Sequence, residues 1–178
     1  MQTKAAVLGA TLIVVLAFAA CSSSSSSSQQ QQPSPSTVPG GTATGSGGCK
    51  TVGDKSQAKH TITVTEKEWS ITTSTNRTTS GLIHFAVTND GHQKHELAVF
   101  QGAPASLITL ANGAIDEQSL AEDTLVGRVE VPAGQHCDLT VRLARGIVTL
   151  ACNLVDQGPN GTEQVHFAMG MSQALVVS

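Results

Sequence analysis

Four side chains in this sequence carry soft or borderline metal-ligand chemistry at places where a folded chain could gather them. His95 lies in NDGHQKHELAVF, after a turn signal and before an apolar run. Cys152 closes GIVTLAC, and His166 and Met171 lie in HFAMGM, ahead of the terminal run QALVVS. A thiolate, two imidazoles and a thioether form a ligand set for copper. Sulfur holds Cu(I), imidazole suits both oxidation states, and a trigonal His₂Cys plane with a weak axial Met serves electron transfer. Singly, each residue has a plainer use: a strand-end cysteine as a small buried hydrophobe, a loop histidine in solvent, a methionine as core filler. Only together do they amount to a site.

Such ligands need a rigid frame, and the sequence supplies its period. Apolar residues alternate at Ile62/Val64, Trp69/Ile71, Ile83/Phe85/Val87, Leu97/Val99, Val129/Val131, Leu139/Val141/Leu143, Val148/Leu150 and Leu175/Val177. Each run is short and bounded by Gly, Asn, Asp, Pro or Thr, which predicts an all-β antiparallel sandwich or barrel. Pro104 to Leu125 breaks the alternation and is expected to hold a short helix or a long crossover loop. A sandwich that presents ligands from two loops at one end changes oxidation state with little rearrangement.

The first 48 residues are of another kind. Lys4 precedes an apolar run from Val7 to Ala20, too short to span a bilayer comfortably and followed by small residues, so 1–20 reads as a cleaved signal. Phe18-Ala19-Ala20-Cys21 resembles a bacterial lipobox, with Phe18 in place of the usual Leu; Cys21 is the expected lipidation site, an ordinary secretory signal the alternative. Ser22–Ser28, Gln29–Gln32 and the Pro/Gly/Ser/Thr-rich stretch to Gly48 bury too little apolar surface to offset ordering entropy, so 21–48 is expected to be a flexible tether. Residues 49–178 form the one expected domain. A net charge of −3 with only 13% charged residues excludes a basic nucleic-acid footprint, and removal of Lys4 makes the chain more negative.

From about His60 onward the chain resembles a cupredoxin, close to the plastocyanin-like and sulfocyanin-like lipoproteins. The residues that carry this are Asn89-Asp90-Gly91 with His95 ahead of an apolar strand, then VEVPAGQHCDLTVRLARGIVTLACN, then His166-Phe167-Ala168-Met169-Gly170-Met171. The resemblance implies a Greek-key β-sandwich holding one copper ion, with His95, Cys152 and His166 in the plane and Met171 axial. It also implies that the His166 ring edge reaches the surface as the electron route. Asn89 is the candidate that hydrogen-bonds one ligand loop to the other. Met169 competes with Met171, at a shorter spacing, and His92 with His95, without a following strand. The chain departs from the family at Leu154–Val165, an insertion between Cys152 and His166 whose Pro159-Asn160-Gly161 predicts a hairpin.

Cys49 and Cys137 remain. Export permits a disulfide between them, tying the domain's start to the strand after Pro132-Ala133-Gly134, with two free thiols as the alternative. His60, His84 and His136 have no ligand-like context, and His84 is expected on a solvated strand face. The sequons at Asn76 and Asn160 are not expected to carry glycans on a bacterial lipoprotein. The leading expectation is a monomeric, lipid-anchored electron carrier at the extracytoplasmic face of a bacterial membrane, in the periplasm or at the cell surface. It would pass single electrons between redox partner proteins without being an enzyme. The alternatives are a copper-binding protein that exchanges metal with donor and acceptor proteins, for acquisition, delivery or resistance, and a copper-free interaction module. The absence of any His-x-His pair disfavours the copper oxidases of the superfamily.

Overall fold

Period-2 alternation becomes strand wherever one face can be covered. The structure, a computed structural model, describes residues 49–178; the expected signal, Cys21 and the expected tether lie outside the described residues. Eleven strands form in this region: β1 His60–Lys67, β2 Ser70–Thr73, β3 Arg77–Thr78, β4 Gly81–Asn89, β5 His95–Gln101, β6 Leu125–Val131, β7 His136–Leu143, β8 Gly146–Ala151, β9 Val155–Gln157, β10 Glu163–Val165 and β11 Ser172–Val177. One sheet has the order β2-β1-β4-β7, the second the order β3-β11-β8-β5-β6, and β9 and β10 form a separate hairpin. Pairing is mostly antiparallel, but β1–β4 and β3–β11 are parallel. The chain crosses between sheets at β2–β3, β3–β4, β4–β5, β6–β7 and β7–β8, giving a Greek-key sandwich.

The inner faces hold the core. Ile62, Val64, Ile83, Phe85 and Val87 from the first sheet meet Leu97, Val99, Val148, Leu150 and Leu175 from the second, all at 0% exposure. Full burial of each such side chain contributes about 1.5–3 kcal/mol relative to exposure. Because a one-residue slip would turn every one of these side chains outward, the core also sets the register and therefore the places where β5 and β8 end. Those ends carry His95 and Cys152.

Strand β5 is buried on both faces, which explains its unbroken apolar run. Ala98 and Phe100 point away from the main core into a second cluster with Leu107, Ile115 and Ala151. The cover is the 102–124 segment, which takes the loop alternative. It has single 3-10 turns at Pro104–Ser106 and Glu117–Ser119 and a Thr109–Ile115 bridge, with no longer helix.

One histidine departs from expectation. His84 does lie on the outer face of β4, but it is only 6% exposed. The chain before β1 covers it: the Val52 N–H donates to Asp138 O, and the Thr140 N–H donates to Val52 O. Cys49 and Cys137 are joined by a disulfide, which fastens this segment across the strand. Gly53, at φ +79°, lets the segment lie flat, since a Cβ there would fall 2.3 Å from Thr140 O.

Candidate metal centre

Two loops at one end of the sandwich position the site. The first joins β4 to β5 and ends at His95. Asn89 closes it: Oδ1 accepts the Gly91 N–H at 2.8 Å, and Nδ2 donates to Gln93 O and Val131 O, each at 2.8 Å. Asn89 therefore staples the first ligand loop to β6 and makes no bond to the second loop, contrary to the role expected from the resemblance. The two loops are linked instead by the Glu96 N–H, which donates to Cys152 Sγ at 3.3 Å, and by Gln93 Nε2, which donates to Gln164 Oε1 at 3.4 Å.

The second loop leaves β8 at Cys152 and returns through β11. The Cys152 N–H donates to Met171 O, the Met171 N–H to His166 O and the His166 N–H to Leu154 O. The last of these bonds closes the neck of the insertion, so the extra residues project as the β9–β10 hairpin without spreading the ligands. The turn is the one Pro159-Asn160-Gly161 predicts, with Gly161 at φ +70° and the Gly158 N–H donating to Thr162 O. Asn153 fastens the outer cover beside the site: Oδ1 accepts from Ile115 N, and Nδ2 donates to Ile115 O and Glu117 Oε1.

These loops bring His95, Cys152 and His166 together. All three are at 0% exposure, and their ligand atoms lie within 4.8 Å of one another. His166 Nδ1 is 3.2 Å from Cys152 Sγ and 3.2 Å from His95 Nδ1. A sandwich of this strand order, with His, Cys and His converging from the β4–β5 and β8–β11 loops, is a specific arrangement. The domain has the cupredoxin fold.

No family model and no curated protein matches the chain. Among solved structures, it is similar to a dithionite-reduced auracyanin from Roseiflexus castenholzii, at 18% identity and TM-score 0.47 over 68% of this chain and 98% of that one. It is also similar to auracyanin B, at 14% and 0.48 over 74% and 96%. A third is auracyanin A, described as a blue copper protein from Chloroflexus aurantiacus, at 15% and 0.43 over 66% and 98%.

The site fits one copper ion by the chemistry of its donors. Burial pushes both imidazoles below their ordinary pKa, and His166 lowers that of His95 further, so both rings are neutral, as ligands must be. Burial pushes the Cys152 thiol up to about 12, against the N–H groups of Leu154 and Glu96 that face it. A dry pocket that raises a thiol so far while gathering two neutral nitrogens around it is one that a cation would stabilise, making the sulfur a thiolate. Met171 is wholly buried beside Cys152 in the core cluster, whereas Met169 is 41% exposed. His92 is exposed, its N–H donating to Glu68.

The sequence reading gave no site role to four residues around this centre. Glu68, just past β1, accepts the N–H groups of His92 at 2.6 Å and Gln93 at 2.8 Å. Burial opposes its ionisation, yet these backbone bonds and His95 hold its carboxyl down at about 2. Trp69 packs edge-on against the His166 ring, centroids 5.0 Å apart. Asp156 on β9 puts Oδ2 at 3.3 Å from His166 Nε2. Between them these groups cover His166, whose edge does not reach the surface as the resemblance implied. Glu66 faces the core with both oxygens unpartnered, and burial, assisted by Glu96, raises it to about 8. None of the four falls in a recognisable motif. Glu66 and Glu68 could have drawn notice only as carboxylates in or beside a strand whose inward positions are otherwise apolar.

Proposed function

We propose that this protein is a blue-copper electron carrier, held by a lipid on Cys21 at the extracytoplasmic face of a bacterial membrane and serving redox partner proteins. The observation that carries the reading is the convergence of His95 Nδ1, His166 Nδ1 and Cys152 Sγ in a fully buried pocket at the end of a rigid sandwich. When bound, copper supplies a one-electron Cu(II)/Cu(I) couple. His95, Cys152 and His166 would hold it, with Met171 as the fourth candidate ligand. The residues do the rest: the β-ladder fixes the ligands so that neither oxidation state needs rearrangement, and Glu68, Trp69 and the hairpin exclude water.

The cover also bears on the alternative of metal delivery. The 154–165 insertion would favour exchange if it opened the site. It packs back instead, through Gln164 on Gln93, Asp156 on His166 and Glu163 on Asn112. That favours retention of the ion and an electron as the cargo, with no substrate transformed. The test adds Cu(II) to residues 49–178 and records visible absorption and electron paramagnetic resonance. An intense thiolate-to-copper band that vanishes in Cys152→Ser, with slow loss of copper to a mild chelator, is expected. Copper bound equally well by Cys152→Ser without such a band would overturn the site, and rapid loss to the chelator would favour delivery.

A further inference from the structure

We infer that Glu68 and Asp156 are positioning residues that cap the far nitrogens of the two imidazoles, orient each ring with Nδ1 toward the thiol, and bias the site toward the more highly charged Cu(II). This rests on the copper reading above. Each neutral imidazole has one N–H and one lone pair, and whichever nitrogen meets an acceptor keeps the proton. His95 Nε2 lies 3.6 Å from Glu68 Oε1, and His166 Nε2 lies 3.3 Å from Asp156 Oδ2. Both Nε2 atoms are buried and make no hydrogen bond in this structure, and these carboxylates are the acceptors placed beside them. The Nδ1 atoms are then left as lone pairs facing Cys152 Sγ. A carboxylate behind a ligating histidine raises the basicity of the ring and fixes its orientation.

Each cap is itself held. Two backbone N–H groups of the first ligand loop bind Glu68, and Gly91 leaves room for its carboxylate, since a Cβ there would fall 2.6 Å from Glu68 Oε1. Asp156 sits opposite Gln164 in the β9–β10 pair, and Gln164 is tied to Gln93 of that same loop. The insertion thus delivers a carboxylate to one ring while the β1–β2 turn delivers one to the other. Two negative charges behind the rings stabilise a doubly charged ion more than a singly charged one, which lowers the potential.

The test compares charge-removing with acceptor-removing variants of residues 49–178. Asp156→Asn and Glu68→Gln keep shape and an acceptor oxygen but lose charge. Each is expected to hold Cu(II) about 10–100-fold less tightly, as for other partners behind a metal ligand, with Cu(I) affinity unchanged. At 59 mV per tenfold for a one-electron couple, the potential then rises by about 60–120 mV. In the diamagnetic Cu(I) protein, Asp156→Ala is expected to release the His166 Nε2–H to solvent exchange while His95 stays protected, and Glu68→Ala to do the reverse. An intact thiolate band with wild-type potentials in both Asp156→Asn and Glu68→Gln overturns this inference alone. Absence of the band from the unmutated protein overturns the copper reading and this inference together.

Discussion

Imidazoles meet carboxylates in two regions of this domain, and only one of them is built as a metal site. On the outer face of the first sheet, His84 Nε2 and His136 Nε2 both approach Asp138 Oδ1, at 3.3 and 3.4 Å. Their other nitrogens face Thr140 Oγ1 and Thr88 Oγ1, each at 3.2 Å, and Lys55 binds the second oxygen of Asp138 at 2.8 Å. All four ring nitrogens have polar neighbours there and the carboxylate has its cation. At the buried end the carboxylates again lie on the Nε2 side, but each ring has its own. The carboxylates stand behind the rings, the Nδ1 atoms turn toward each other, and a thiol takes the place of the hydroxyls. Composition alone would rank the two clusters as similar. What separates them is what Nδ1 faces: a threonine hydroxyl on the outer face, a second imidazole and a thiol at the buried end.

The comparison can be broken most directly by removing one ring from each cluster. His166→Gln is expected to weaken Cu(II) binding by more than the roughly 10–100-fold that loss of an outer partner costs, while His136→Gln leaves it unchanged. Competition titration against a chelator reads both, and equal losses would erase the distinction. A smaller effect is expected from Cys49→Ala/Cys137→Ala, because the disulfide anchors the segment that covers the outer cluster. Urea denaturation should show a loss of about 2–4 kcal/mol, with His84 newly reactive to a histidine reagent and the thiolate band intact. Loss of the band would mean that the two regions are coupled.

Glu66 sharpens the contrast as a carboxyl with no imidazole or cation on it. Its folded pKa, raised to about 8 from the ordinary 4.5, lies above the unfolded value. Between about pH 5 and 8 the folded state therefore holds a proton that the unfolded state has released, so stability falls as pH rises. The slope is at most about 1.4 kcal/mol per pH unit, and it levels off above pH 8. Glu66→Gln is expected to remove that slope, read as denaturation midpoints at about pH 5.5, 7 and 8.5 against the unmutated chain. Parallel midpoints in the two proteins would show Glu66 paired.

Much of this was legible in one dimension because the relevant signals are local. Period-2 alternation requires only neighbouring residues, and it marked β1, β4, β7 and β8. The 159–161 turn announced its hairpin through Pro and Gly, and the ligands stood out because Cys, His and Met are few. The reading failed where partners are distant in sequence. His84 follows the outward phase of its strand, and nothing near it shows that residues 49–58 return to cover it. Asn89 stands in the expected loop, but its partner Val131 is 42 positions away. The 102–124 segment has no period of its own because its shape is set by the outer face of β5, which it covers.

The sequence by itself determined the all-β class and the donor types available to a metal. These follow from composition, side-chain alternation and the chemistry of single residues. Only the tertiary structure decided which nitrogens face the thiol, that His166 is shut away from solvent, and that the hairpin of the insertion packs back against the site. Those outcomes depend on atoms a few ångströms apart but tens of residues distant along the chain. Burial, which sets the ionisation of Cys152, Glu66 and the two rings, exists only once the sheets have closed on one another.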